Sequence, residues 1–176
     1  ADFFTKQGPI LRGAWADFSV LQDDPVQMAD PAKFNHYMQL NAAGLCGMPP
    51  ERLFRAAHVA HPCSRRTMAQ LHTRFNAAFR GNARYQMRDI RQFSPQSLHN
   101  YACILHKTAK LHPIKDHHHI YSGQGVGAAD GTIPALLQNL RDTPDLKMLC
   151  VNDLPQLEAL YPDIRNWLAQ LLTGAP

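Results

Sequence analysis

The chain has 176 residues, with 18 Lys+Arg against 14 Asp+Glu, 10 His, 13 Pro and 4 Cys. Its 45% hydrophobic and 18% charged content supplies one ordinary core and excludes disorder over most of its length. The net charge of +4 is spread along the chain, which argues against a nucleic-acid partner, and the apolar stretches are too short and interrupted for a membrane span.

In chain order, the opening residues carry an aromatic pair, Phe3-Phe4, and no initiator Met. That start reads as a cut through a larger protein, with 1–176 as a single domain of it. Residues 31–45 predict a helix, with Asp30 as its cap and Pro31 at its first position. Gly44, Gly47 and Pro49-Pro50 end it. Residues 64–79 predict a second, capped by Ser64 and stopped by Gly81. Met68, Leu71, Phe75 and Phe79 give it one apolar face. Ser94-Pro95 starts a third, with Leu98, Tyr101, Ala102 and Leu105 inward. Residues 112–131, rich in His and Gly, read as the one long structureless stretch. A fourth helix opens at Gly131 or Thr132 and buries Leu136, Leu137 and Leu140. Residues 147–151 predict a short interior strand with Asn152-Asp153 at its carboxyl end, where α/β folds bind ligands. Residues 164–172 predict a last helix, with Ile164, Trp167, Leu168 and Leu171 inward.

Cys46, Cys63, Cys103 and Cys150 are far apart, with no CxxC spacing. With no leader at Ala1, free thiols and a cytoplasmic location are expected.

His58, His61, Arg65 and Arg66 cluster at the start of the second predicted helix, a place suited to phosphate. A polar cap with solvated arginines is the plain alternative. Arg84, Arg88 and Arg91 follow in a basic stretch that reads as an ordinary loop, although arginine forks match phosphate oxygens. His117-His118-His119 suggests metal, yet adjacent histidines diverge, so a solvated loop is the favoured reading. Gly123, Gly125 and Gly127 lack the strand-loop-helix frame of a phosphate loop. Asp153 at a strand end suits a divalent cation, a sugar hydroxyl or a helix cap.

Together these pieces resemble the Stealth family. Residues 57–65 (Ala-His-Val-Ala-His-Pro-Cys-Ser-Arg), then Phe75-Asn-Ala-Ala-Phe79 and Met87-Arg88, are similar to its third conserved region. Leu149-Cys-Val-Asn-Asp153 resembles the core of its fourth region. Asp2-Phe3-Phe4 with Gly8 is similar to the tail of the second, and Asn41 falls where an Asn precedes the third. The sequence departs from the family where Ala60 replaces a Pro between the histidines, Asn76-Ala77-Ala78 replaces Pro-Glu-Glu, and Arg91-Gln92 stands at a usually acidic place.

The resemblance implies an α/β fold, the helix-rich C-terminal portion of a nucleotide-sugar transferase catalytic domain with few short strands. It implies transfer of hexose-1-phosphate from a UDP-sugar donor to a carbohydrate acceptor, as in capsule or exopolysaccharide synthesis, assisted by Mg2+. In that picture His58 and Arg88 are catalytic, Asp153 holds the metal, and His61, Arg65, Asn41, Asn152 and Asp153 bind substrate. The implied partners also include an N-terminal part of the same enzyme, with peripheral contact at the inner membrane. The rival readings are a non-catalytic helical binding or assembly domain on that scaffold, and a small metal-dependent hydrolase built on the histidines.

Overall fold

The computed structural model describes residues 2–21, 25–112, 116–121, 132–143 and 145–173. Among them the chain is mixed α/β, with eight α-helices and six short strands, about 50% helix and 17% strand. It forms two compact units. The larger holds Asp2–Ala57 and His61–Ile114; the smaller holds His58–Ala60 and Lys115–Pro176.

The larger unit is organised by one long strand. β1 (Phe4–Thr5) turns tightly into β2 (Gly8–Ala16), pairing Thr5 with Gly8. β2 then takes two further partners along its length. β4 (Lys110–His112) runs parallel to Ile10–Arg12, and β3 (Leu53–Ala56) runs antiparallel to Gly13–Ala16. Glycine is required twice on β2. A Cβ at Gly8, where φ is +134°, would lie 1.9 Å from the Thr108 carbonyl oxygen, and one at Gly13 would lie 2.3 Å from that of Arg55.

Five helices complete this unit: α1 (Pro25–Ala29), α2 (Phe34–Cys46), α3 (Arg65–Arg74), α4 (Asn76–Asn82) and α5 (Pro95–Leu105). α2 packs on α5, and their buried faces join those of β2 and β3 in a core of Leu11, Tyr37, Leu53, Phe54, Leu98 and Tyr101. The local rules that shape these helices are visible. The Ser64 and Ser94 hydroxyls accept the N–H groups of Thr67 and Ser97, and Gly47 ends α2 in the left-handed region at φ 72°.

Five expectations for this unit change. Gly44 does not end α2, which runs through it to Cys46. Asp30 does not cap α2: a 3-10 turn, Pro31–Lys33, intervenes, closed by the Lys33 N–H on the Asp30 carbonyl. The helix expected over 64–79 breaks at Phe75 (φ −112°, ψ 31°) into α3 and α4. The break sets Phe79 edge-to-face on Phe93, with ring centroids 5.0 Å apart. Gly81 is not a stop, since α4 runs through it to Asn82. Leu105 is 48% exposed, because the last turn of α5 runs past the core.

The smaller unit begins with β5 (His117–Ile120), which pairs parallel with β6 (Met148–Val151). Parallel neighbours need a crossover, and the chain between them contains α6 (Thr132–Arg141). α7 (Leu154–Leu160) follows β6, and α8 (Ile164–Thr173) packs against α6 and α7. Ile120, Ile133, Leu137, Leu140, Leu157 and Ile164 are its buried core. The stretch 112–131 is therefore not structureless: His112 ends β4 and residues 117–120 are β5. The glycines at 123, 125 and 127 lie outside the described residues. β6 is half-buried along its length and not interior, because it has a single strand neighbour. No helix among the described residues is long and apolar enough to cross a membrane.

A candidate site at the carboxyl edge of the smaller sheet

The parallel pairing of β5 and β6 brings their carboxyl ends side by side. The register sets His119 opposite Cys150 and Ile120 opposite Val151, and the Asn152 N–H continues the ladder onto the Ile120 carbonyl at 2.8 Å. Asn152 and Asp153 thus leave β6 beside His119 and Tyr121. Strand alternation puts His117, His119 and Tyr121 on one face and His118 on the other. The His119 and Tyr121 rings lie 5.4 Å apart.

His58 joins this edge from a distant part of the sequence. Its ring stacks flat on that of His119, with centroids 4.4 Å apart and planes 7° from parallel. A face-to-face stack keeps both sets of nitrogen lone pairs in near-parallel planes. That geometry suits two imidazoles bordering one ligand better than two chelating one ion. Among the described residues no group of three or more His, Cys, Asp or Glu is arranged to hold a metal.

The electrostatics favour a neutral His119. Burial lowers its pKa below the ordinary 6.5, and His58 and His118 lower it further. Asp153 and a hydrogen bond with Asn152 oppose these effects without overcoming them. An uncharged imidazole at neutral pH can accept a proton. Burial, then His117, likewise lowers His118. At the start of β5, Asp116 and His117 form a buried pair, 3.5 Å from Oδ1 to Nδ1.

Asp153 occupies a conformation that most residues avoid. At φ 56°, ψ 37° it is left-handed, and its side chain makes no cap hydrogen bond to α7 although it stands at the cap position. Non-glycine residues in this region concentrate at functional positions. Behind it, the Cys150 thiol donates to the Asn152 Oδ1 at 3.5 Å, which helps fix the carboxamide.

The sequence-derived candidates divide between the two units. His58, Asn152 and Asp153 belong to the smaller unit, and His119 lies among them. Arg88, Arg65, His61 and Asn41 belong to the larger. Arg65 and Arg88 are exposed, the first at the head of α3, the second in the stretch after α4. The His61 Nε2 donates to the Ala57 carbonyl. The Asn41 Nδ2 donates at 2.7 Å to the carbonyls of both Ile90 and Gln92, bracing the segment after Arg88.

His119 is the residue that sequence reasoning undervalued. The expected solvated loop at residues 117–119 is a half-buried strand, because β6 supplies a partner that local pattern does not reveal. The usable signal was Ile120 closing the histidine run, a short segment leading into the core. No protein-family model, curated protein or solved structure matches the chain.

Proposed function

We propose that the chain is a sugar-1-phosphate transferase, moving hexose-1-phosphate from a UDP-sugar to a carbohydrate hydroxyl. The observation that carries this reading is the carboxyl edge of β5 and β6, where the stacked His58–His119 pair meets Asn152 and Asp153. Such edges are where parallel sheets bind ligands. The resemblance of residues 57–65, Arg88 and 149–153 to the Stealth regions points to the same chemistry.

In this reaction the acceptor oxygen attacks the β-phosphorus of the donor. The bond from that phosphorus to the bridging oxygen breaks, and UMP leaves. The hydroxyl proton passes to an imidazole of the His58–His119 pair, with His58 the outer, exposed ring. By the family resemblance alone, Arg88 is assigned a phosphate-clamping role and His61 and Arg65 supporting ones. Asn152 and Asp153 hold the donor. Asp153 would hold Mg2+, which commonly takes one carboxylate plus substrate phosphates. When bound it would neutralise developing charge on the diphosphate. The reading includes a cytoplasmic location with peripheral contact at the inner membrane.

The test is product identity. Incubation with UDP-glucose, Mg2+ and an oligosaccharide acceptor, followed by phosphorus NMR, is expected to show UMP and a sugar phosphodiester. His58→Ala and Arg88→Ala are expected to abolish UMP release in folded protein, and Arg88→Lys to remain poor. Release of UDP, or undiminished turnover in His58→Ala, would overturn the reading.

A further inference from the structure

A second histidine of note lies in the larger unit. His99 is 1% exposed on α5, one of the few polar side chains buried in this unit. Its Nε2 accepts the backbone N–H of Ser64 at 2.9 Å. Ser64 is the cap of α3, so the imidazole of one helix secures the cap residue of another. The Cys103 Sγ lies 3.6 Å from the same nitrogen, and the Nδ1–H faces the Asn100 Oδ1 at 3.3 Å. The Ser64 N–H requires a lone pair at Nε2. The ring must be neutral and protonated on Nδ1.

We propose that His99 is an acid-sensitive latch on the head of α3, closed while Nε2 carries a lone pair and opened when Nε2 takes a proton from solvent. On protonation an N–H faces an N–H, and the Ser64 donor loses its acceptor. The new cation also sits at the positive end of α3, where the helix dipole opposes it.

The surroundings do not mask this response. The titratable groups near His99 are Cys103 on α5 and Cys63 in the loop before α3, and burial raises the pKa of both thiols, keeping them uncharged in mild acid. Arg65 and Arg66 at the head of α3 and Arg55 on β3 are exposed. From α2, Cys46 meets α5 at the Leu98 carbonyl and not at His99. Burial lowers the His99 pKa, a hydrogen bond to Asn100 partly offsets that, and no charged group contributes. The latch is accordingly closed at and above the ordinary histidine value of 6.5 and opens as pH falls through a lower midpoint.

The test uses the full 15N-labelled chain, following the Ser64 amide by hydrogen exchange and the His99 ring by NMR between about pH 7.5 and about pH 5. In the wild type, Ser64 protection is expected to fall by up to about tenfold per pH unit from about pH 6.5 down to the lower His99 midpoint and to level off below it. The Ser97 amide, held by the non-titrating Ser94 hydroxyl, serves as control and should not change. His99→Gln offers a carboxamide oxygen that does not titrate, so its Ser64 protection should be flat. His99→Ala should show low protection at every pH; if it does not fold, the other two chains still decide. Flat Ser64 protection in the wild type, or the same decline in His99→Gln, would overturn the latch.

Discussion

The two units spend their polar groups differently. In the larger, buried or half-buried polar side chains hold backbone. Asn41 donates to two carbonyls, the Asn82 side chain both accepts from and donates to the backbone of Phe93, and His99 accepts from Ser64. In the smaller, His58, His119, Asn152 and Asp153 mainly meet one another at a sheet edge. Polar groups that satisfy backbone carry stability, while side chains grouped at the mouth of parallel strands are placed for a ligand. Substitutions in the two units should therefore fail in different ways.

The largest stability loss is expected in the core of the larger unit. Leu98→Ala removes a fully buried side chain and should lower unfolding free energy by about 3–5 kcal/mol in urea titration. A loss below about 1 kcal/mol would mean that α5 does not pack as described. Next comes Asn41→Ala, which leaves the Ile90 and Gln92 carbonyls without their donor; about 1–3 kcal/mol is expected. If Asn41 is purely a brace, its loss will not alter UDP-sugar contact at the histidine edge, which ligand-titration NMR would show. Ser94→Ala should cost about 1 kcal/mol by removing the cap of α5.

The smaller unit should instead show its character in pH dependence. His119 has a folded pKa below 6.5, so the unfolded chain binds its proton more readily. Its contribution to stability is then complete above about pH 6.5 and is lost as pH falls through the folded value. A His119→Phe variant should flatten that part of the stability profile, and an unchanged profile would contradict the assignment. The smallest effect belongs to the exposed pair on α7 and α8, where Arg165 meets Glu158 through two hydrogen bonds. Arg165→Ala should leave the thermal midpoint unchanged within error, since solvent screens such pairs.

These contrasts also explain what could be read from the sequence. Caps and prolines are local, so Ser64, Ser94-Pro95 and Gly47 marked helix ends correctly. The apolar run 148–151 marked a strand, and Asn152-Asp153 fell at its end. What was hidden depends on partners far along the chain. β2 pairs with three strands in succession, β3 and β4 lying far along the chain, and its Arg12 is buried. β5 reads as solvated histidines until β6 pairs with it. The stack of His58 on His119 joins segments that no spacing rule connects. The break at Phe75, after which Phe79 packs on Phe93, interrupts what the sequence shows as one apolar stripe.

The most direct measurement for the site is a two-dimensional NMR titration of the labelled chain with UDP-glucose and Mg2+. The ring signals of His58 and His119 and the amide of Asn152 should shift together with one dissociation constant, and His119→Ala should remove the response at His58 and Asn152. Stationary signals at these residues under saturating donor, or shifts confined to the larger unit, would contradict a site at the carboxyl edge of β5 and β6.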